Sequence, residues 1–318
     1  MEILYKETLD GLCIQRCYGL DGIIQLPDEI GGRPVTELAG YVFSRTVRGR
    51  EIPPAEYAGE PELCGAAVEE LVLPEHIKKI GPYAFYNCSN LRSLSCWSTV
   101  RDWGAGVFTG CSQITKLDIR IREGEKSCFK EILSELRQTL EVCVRGEDGE
   151  LRARLIFPEF FEESVENTPA RIIMREMHGC GHMYRYCFDN TAFQYREYDA
   201  LFPHVQVQEK PELVTRLALY RLYWPWGLTE QSKMIYREYL TAHAGEAAYA
   251  LIKRGELDLL RFMAELPEIS EFHFAEMIKA AAVLENAQAS ALLMDARHRR
   301  CGGQKTAARR ERKRTFEL

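Results

Sequence analysis

The chain has 318 residues, of which 46% are hydrophobic and 28% charged, and its formal net charge is −6. This composition is ordinary for a soluble globular protein, and the length suggests two domains or one repeat array continued by a second unit. Met1 to Glu7 lacks the basic and apolar regions of a secretory signal, and no apolar stretch approaches the ~18 residues of a membrane span. We therefore expect a cytoplasmic protein without a membrane-spanning helix.

The N-terminal half repeats itself after 23 residues. When the segment from Leu71 to Cys96 is shifted by 23 positions, apolar residues fall on apolar residues at nearly every matched position. Glycine and cysteine are also kept, because Gly81 and Cys88 fall on Gly104 and Cys111. A fixed period of this length is typical of a solenoid, in which each coil buries its apolar face against neighbouring coils.

Each coil is predicted to be a short strand, a turn and a compact helical or irregular return. Leu71 to Leu73 alternates as a half-buried strand does, and Pro74 ends it. An earlier copy, with an extra turn from Ile30 to Pro34, precedes an apparent insertion from Arg45 to Glu62. The repeat is predicted to stop after Ile119.

The repeat resembles the BspA-like leucine-rich repeat family of bacteria over roughly residues 10 to 120. The motif that carries the resemblance is Leu73-Pro-x-x-Ile77-x-x-Ile80-Gly81-x-Tyr83-Ala84-Phe85-x-Asn87-Cys88-x-x-Leu91-x-x-Leu94, and the upstream Gly32-Arg33-Pro34-Val35-Thr36 is similar to that family's first repeat. The resemblance implies a right-handed solenoid that binds other macromolecules.

A mixed region and a helical region are expected beyond the solenoid. Cys128 to Leu136 has helical spacing, and two alternating segments, Leu140 to Val144 and Leu151 to Phe157, predict a β-hairpin that caps the open end of the solenoid. Two helical patterns within 206–298 resemble the stacked helix pairs of ankyrin repeats, the first from Ala247 to Phe262 and the second from Met277 to Met294.

The predicted fold class is therefore α+β, a short leucine-rich repeat solenoid followed by a β-hairpin cap region and an α-helical, ankyrin-like region. The predicted domains are the solenoid at 1–122, a mixed α/β connecting region at 123–205, the helical region at 206–298 and a basic disordered tail at 299–318.

The charge is distributed unevenly along the chain. From Arg297 to Leu318 there are nine Lys or Arg and two Glu, whereas the rest of the chain is strongly acidic. Gly302 and Gly303 are expected to end any helix that continues from Met294, which leaves the tail free. A basic tail can dock on RNA, DNA or an acidic protein, but we favour a solvated tail that stays near the acidic body through weak attraction.

The eleven cysteines include no Cys-x-x-Cys pair, and we expect them to be free, buried and structural. The densest polar cluster is His178, Cys180, His182 and Cys187, which could hold zinc by residue type, although the spacing fits no standard finger. The alternative to a zinc site is a structural glycine loop, which joins a strand at Ile172–Met174 to the aromatic segment after it. We expect no metal and no cofactor.

The aromatic segment admits two readings. It holds Tyr184, Tyr186, Phe188, Phe193, Tyr195, Tyr198 and Phe202, interleaved with Arg185 and Arg196. Such residues could stack on nucleic-acid bases, or they could form a packed core with polar groups at its rim. We favour the core, because an acidic body repels phosphate.

Standard catalytic motifs are missing, so the protein is not expected to be an enzyme. The leading hypothesis is a cytoplasmic protein-interaction scaffold with an unknown protein partner. A nucleic-acid adaptor acting through the basic tail is the first alternative, and an enzyme with a site in the 171–205 loop region is the second. The residues predicted to face outward on the strands and to bind protein are Glu70, Val72, Ser93, Ser95, Lys116 and Asp118.

Overall fold

The computed structural model of the protein describes the backbone of residues 1–49, 51, 53–167 and 172–314, and the side chains of these residues except 165–167, 172–173 and 301–314. The chain divides into two compact units, Met1–Leu201 and Phe202–Leu318. No helix in the described part of the chain is both long and apolar enough to cross a membrane.

The first unit is built from short strands with a few brief helices. Its strands are β1 Glu2–Glu7, β2 Leu12–Tyr18, β3 Ile23–Gln25, β4 Glu29–Ile30, β5 Arg33–Leu38, β6 Glu56–Tyr57, β7 Glu60–Pro61, β8 Glu70–Val72, β9 Lys79–Ile80, β10 Ser93–Trp97, β11 Asp102–Trp103, β12 Lys116–Arg120, β13 Leu140–Arg145, β14 Leu151–Phe157, β15 Phe161–Asn167, β16 Ile172–His178, β17 Phe188–Asp189 and β18 Ala192–Phe193. Its helices are α1 Phe129–Glu135, α2 Gly181–Tyr184 and α3 Tyr195–Ala200, with a 3-10 turn at Gly65–Ala67.

Two sheets run along the solenoid. The 23-residue repeat predicts the first, whereas the second forms where a helical or irregular return was expected, so that expectation was wrong. The first has the order β14-β13-β12-β10-β8-β3, and its strands from β3 to β13 are parallel. In it Leu71 lies opposite Leu94, and Leu94 lies opposite Leu117, so each step along the sheet is one period of the sequence. The second sheet has the order β1-β2-β5-β9-β11, with β4 beside β5. The coils that begin with β3, β8 and β10 each contribute a further strand, β5, β9 and β11, to the second sheet, which makes the unit a β-solenoid.

The inserted segment leaves the stack between two adjacent coils. Ile23 pairs directly with Glu70, so the intervening chain forms a longer excursion, as expected for residues 45–62. Its end is held by Glu62, which forms an ion pair with the fully buried Arg16. The same guanidinium donates at 2.7 Å to the carbonyl oxygens of Tyr41 and Val42. Arg16 therefore fixes both the excursion and the turn of the neighbouring coil.

Phenylalanines stack through the interior of the solenoid. The ring centroids of Phe43 and Phe85 are 5.9 Å apart, and those of Phe85 and Phe108 are 5.5 Å apart. All three side chains are buried, which confirms that the matched positions are successive rungs of one core. Such aromatic contacts add to the free energy gained by burying the rings.

A column of glycines allows the coils to approach closely. A β-carbon on Gly104 would lie 2.5 Å from the carbonyl carbon of Gly81, and one on Gly81 would lie 2.2 Å from the nitrogen of Gly40. Real β-carbons do not come so close to backbone atoms, so only glycine fits. The glycine repeated in the sequence therefore marks a backbone contact between coils.

The repeat continues one strand further than the sequence indicated. We expected it to stop after Ile119, but β13 pairs in parallel with β12 and sets Glu141 opposite Lys116. This step is 25 residues rather than 23, and α1 replaces the usual turn, which hides the coil from a fixed-period comparison. The predicted hairpin is confirmed, because β14 then pairs antiparallel with β13 and forms the last strand of the sheet.

The described cysteines are free, as expected for ten of the eleven, and nine of these are buried. Cys88 and Cys111 donate from their thiols to the carbonyl oxygens of Phe43 and Phe85, each one coil earlier. They fill equivalent interior positions, so their role is structural. The remaining residue, Cys301, has a side chain outside the described residues.

The second unit consists of helices. These are α4 Phe202–Gln208, α5 Pro211–Tyr223, α6 Glu230–Ala242, α7 Ala244–Arg254, α8 Leu257–Ala264, α9 Glu271–Val283 and α10 Ala287–Arg314. Thr229 caps α6, since its side chain accepts a hydrogen bond from the nitrogen of Ser232.

Two helix pairs in this unit repeat after 30 residues. The turn after α7 has Gly255 at φ 72°, and the turn after α9 has Glu285 at φ 50°. In the first turn Glu256 donates to the carbonyl of Leu251, and in the second Asn286 donates to that of Ala281. The helix pairs are thus observed, whereas the ankyrin-like resemblance is not confirmed.

The last helix differs from the expectation at Gly302 and Gly303. We expected these glycines to end it, but α10 continues to Arg314. Glycine costs only about 1 kcal/mol per residue in a helix, and the alanines and arginines that follow favour one. The predicted disorder of the tail at 299–318 is therefore not seen in the backbone of 299–314, and 315–318 lie outside the described residues.

Candidate functional site

The six residues predicted to bind protein lie side by side on the outer surface of the first sheet. Alternation along each strand buries the leucines between them and turns the predicted residues outward. Glu70, Val72 and Lys116 are exposed, whereas the other three are half-buried. We call this surface the strand face, and it consists of the outward side chains of β8, β10, β12 and β13.

Strand register arranges these residues in two rows. Ser93 lies opposite Glu70 on one side and Lys116 on the other, which makes the first row. Val72, Ser95 and Asp118 make the second row in the same way. The structure therefore brings all six together, and its parallel register follows from the 23-residue period.

A third row completes the strand face and was missed by the sequence analysis. Trp97 lies opposite Arg120, and Arg120 lies opposite Arg145. The guanidinium carbon of Arg120 is 4.8 Å from the centre of the Trp97 ring, and that of Arg122 is 4.6 Å from it. Trp97 follows Ser95 by two residues, so extending the strand alternation would have identified it.

Ion pairs hold the charged side chains of the strand face in place. The Nε atom of Arg145 donates to both carboxylate oxygens of Asp118 at 2.9 Å. Arg122 donates to Glu75 at 2.7 Å, which fixes it beside the indole. Pairs that are only half exposed lose less to solvent than fully exposed ones. The indole is therefore held by two arginines, one of which is anchored by a carboxylate.

A shallow cavity of about 210 Å³ opens beside Trp97. Polar groups and the indole share its lining, so it can accept a side chain that makes both apolar contacts and hydrogen bonds. Its lining residues are Gln25, Leu26, Asp28, Val72, Leu73, Glu75, Ser95, Cys96, Trp97, Asp118 and Arg120.

The histidines and cysteines of the zinc hypothesis point to different surroundings. His178 stacks on Phe161 at a centroid distance of 4.6 Å and lies 3.2 Å from a carboxylate oxygen of Glu163. Cys180 is buried, and the Nδ1 atom of His182 is 3.0 Å from the carbonyl oxygen of Gly179. Within the described ranges, no group of three or more His, Cys, Asp or Glu is arranged to hold a metal ion.

The aromatic segment is packed core over most of its length. Tyr184 and Tyr198 are fully buried with centroids 4.8 Å apart, and the Tyr198 hydroxyl donates to the carbonyl of Ile156 at 2.7 Å. Only Tyr186 among the segment's large aromatic side chains is strongly exposed, at 68%. This agrees with the core interpretation rather than with base stacking.

Arg185 is a buried cation at the centre of this core. It donates to the carbonyl oxygens of Leu136, Gln138, Pro158 and Gly181 at 2.7 to 2.8 Å. Burial lowers its pKa to about 10, which leaves it charged at neutral pH. The residue ties α1 to the end of β14 and has no open side from which to act on a substrate.

Comparison with known proteins identifies the repeat. The family model described as "BspA type Leucine rich repeat region (6 copies)" matches residues 62–139. No curated protein matches the chain.

Two solved structures share limited similarity with the chain. A leucine rich cell surface protein from Faecalibacterium prausnitzii A2-165 is 17% identical, with a TM-score of 0.27 over 47% of this chain and 42% of that one. The leucine rich repeat protein of T. pallidum is 22% identical, with a TM-score of 0.20 over 36% of this chain and 68% of that one. This chain thus spans less than half the length of the first of them.

Proposed function

We propose that this chain, whose residues 62–139 are a BspA-type leucine-rich repeat region, is a scaffold that binds another protein through the strand face. Leucine-rich repeat proteins generally mediate protein–protein interaction, so a protein partner is the class of ligand that the repeat itself suggests. The scaffold role, the location of the site and the cellular compartment are our own inferences.

The single observation that carries the proposal is the partly exposed indole of Trp97 between Arg120 and Arg122. Tryptophan and arginine dominate the residues that carry binding energy at protein interfaces, because they combine large apolar contact with directed hydrogen bonds. Here both arginines are already ordered against the ring, so little side-chain entropy is lost when a partner binds. Ser93 and Ser95 keep the neighbouring rows low and leave the indole accessible.

A cytoplasmic location is part of the proposal. All ten described cysteines are free, and nine are buried without a disulfide partner. Free buried thiols are typical of proteins in a reducing compartment. The absence of catalytic activity is likewise proposed, since the strand face gathers contact residues rather than an acid, a base and a nucleophile.

Affinity capture from a lysate of the native cell, with identification by mass spectrometry, tests the proposal. The face variant combines Trp97→Ser with Arg120→Glu, and Lys78→Glu is the control because it reverses an exposed charge outside the strand face. Loss of one interface hot spot costs about 2 kcal/mol, so we expect recovery of the partner to fall roughly 30-fold in the face variant. A partner retained equally by wild type, face variant and control would place the binding site elsewhere.

A further inference from the structure

The helical unit carries a groove that the strand-face proposal does not use. It has a volume of about 550 Å³ and is lined by residues of α7 and α9 and by the start of α5. Tyr249 and Val283 are 40% and 66% exposed and give this groove its apolar surface. Ala250 and Ala280 form its floor and leave the space open.

Charge is ordered along the groove. On α7, Glu246 lies in the first turn, Tyr249 follows one turn later, and Lys253 lies in the last turn. Glu276 of α9 lies beside the start of α7, because a β-carbon on Gly245 would be 3.3 Å from that of Glu276. Lys279, one turn after Glu276 on α9, also lines the groove. The groove thus has an acidic end at the start of α7, while Lys279 and Lys253 lie further along it among the apolar side chains.

The carboxylates at the acidic end lack partners in the described part of the chain. Glu212, Glu246 and Glu276 all line the groove, and none of them forms an ion pair with a described cation. Other glutamates of the same unit are paired, such as Glu271 with Arg297 at 2.8 Å. Three carboxylates against two lysines leave the lining net negative, and together with its apolar surface this favours a ligand that brings positive charge and apolar side chains together.

The C-terminal segment of this chain has that chemistry in matching order. From Lys305 to Arg314 there are six Lys or Arg and one Glu, and Phe316, Glu317 and Leu318 follow. If the basic stretch lay at the three glutamates, Phe316 and Leu318 would be available to Tyr249 and Val283, and Glu317 to the lysines of the groove. The side chains of this segment lie outside the described residues, so the match rests on sequence and charge.

The geometry of α10 directs the segment toward a second molecule. Arg297 pairs with Glu271, and Arg300 donates to the carbonyl oxygens of Leu266 and Pro267, so α10 has reached the start of α9 by this point. The helix continues to Arg314, which at 1.5 Å per residue carries it about 20 Å further along its axis. A continuous helix does not fold back into the groove of its own unit.

We propose that the basic C-terminal segment, residues 305–318, of one copy docks in the α7–α9 groove of a second copy. Reciprocal exchange of the two segments gives a closed dimer, in which each groove is filled by the other chain. The interaction is largely electrostatic at one end, so it weakens as salt rises.

Sedimentation analysis of the full chain over a wide concentration range, at low and at high salt, tests the proposal. We expect a concentration-dependent dimer at low salt that dissociates as salt is added, and a synthetic peptide of residues 299–318 that competes with it. Glu246→Lys should weaken dimerisation roughly fivefold or more, since exposed ion pairs contribute up to about 1 kcal/mol each. Glu238→Lys is the matched control, because Glu238 is exposed on α6 outside the groove.

Reversing the charge on both sides of the proposed contact distinguishes a loss of binding from a failure to fold. Arg310→Glu should also weaken the dimer, and its combination with Glu246→Lys should recover part of the affinity. Thermal melting of each variant shows whether the fold is kept. A monomer at every concentration and salt, or a dimer that responds equally to Glu246→Lys and Glu238→Lys, would overturn the proposal.

Discussion

At the scale of single residues, the solenoid depends on positions that recur in every coil and touch their own copies. Phe85 contacts both Phe43 and Phe108, so it has an equivalent ring on either side. Gly81 similarly lies between Gly40 and Gly104 in the glycine column. Because each coil buries its core only against its neighbours, a defect in one rung affects two interfaces.

Replacing Phe85 with alanine removes the middle rung. The side chain is fully buried, so we expect the free energy of unfolding to fall by about 3–5 kcal/mol through loss of burial and formation of a cavity. Denaturant melts of wild type and variant measure the change. Val72→Ala, at an exposed position of the strand face, is the control and should change stability by less than about 0.5 kcal/mol. An unchanged melt for Phe85→Ala would disprove the stacked core.

At the scale of elements, the coil that contains α1 shows how the repeat ends. In earlier coils the nitrogens of Tyr83 and Phe85 donate to carbonyl oxygens of the next coil. After Phe108 the next coil has a helix in place of the turn, and Glu135 supplies the acceptor through its side chain at 3.0 Å. The same carboxylate accepts from the indole nitrogen of Trp103 at 2.8 Å. The Glu135 side chain thus replaces backbone carbonyl oxygens that accept the equivalent hydrogen bonds in earlier coils.

Removing this carboxylate should loosen the end of the solenoid. Glu135→Ala leaves two donors without their partner, and an unsatisfied donor of this kind costs about 1–3 kcal/mol. Amide hydrogen exchange should become faster around Phe108 and α1, while exchange in β2 and β5 stays unchanged. Glu131→Ala, one turn earlier on α1, is the matched control. Equal exchange in the two variants would contradict this role for Glu135.

Sequence reasoning succeeded where the repeat constrains residue type and failed where it does not. The aromatic rungs, the buried cysteines and the outward rows follow from a period of 23 residues with alternation. A comparison at a fixed period missed the coil at β13, because its step has a different length and its turn is helical. Arg185 could not be predicted as core, since a buried arginine requires four carbonyl oxygens that only the folded chain brings together.

At the scale of the whole molecule, buried thiols and a buried tyrosine hydroxyl make the free energy of unfolding depend on pH in the alkaline range. Burial raises the pKa of Cys17 from its ordinary value of 9.0 to about 12, and it does the same for Cys187. Burial also raises the pKa of the Tyr184 hydroxyl. The unfolded chain can release these protons near the ordinary values, whereas the folded chain keeps them.

Stability should therefore be complete below about pH 9 and fall as pH rises from there toward 12. Each such thiol lowers the free energy of unfolding by about 1.4 kcal/mol per pH unit within this range. Urea melts at a series of alkaline pH values measure the slope. Cys17→Ala, compared with wild type, should give a shallower slope even though its cavity lowers stability at neutral pH. A stability that is constant above pH 9 would contradict the buried state of these groups.

The central claim is that a partner protein covers the strand face at Trp97, and hydroxyl-radical footprinting tests it most directly. Oxidation of each tryptophan in the full chain is measured by mass spectrometry with and without the partner identified by capture. Trp97 is half-buried before binding and should be protected in the complex, whereas Trp226, 47% exposed in the helical unit, serves as the internal reference and should react as before. Protection of Trp97 alone is the predicted result, and unchanged oxidation of Trp97 in a saturated complex would contradict the account.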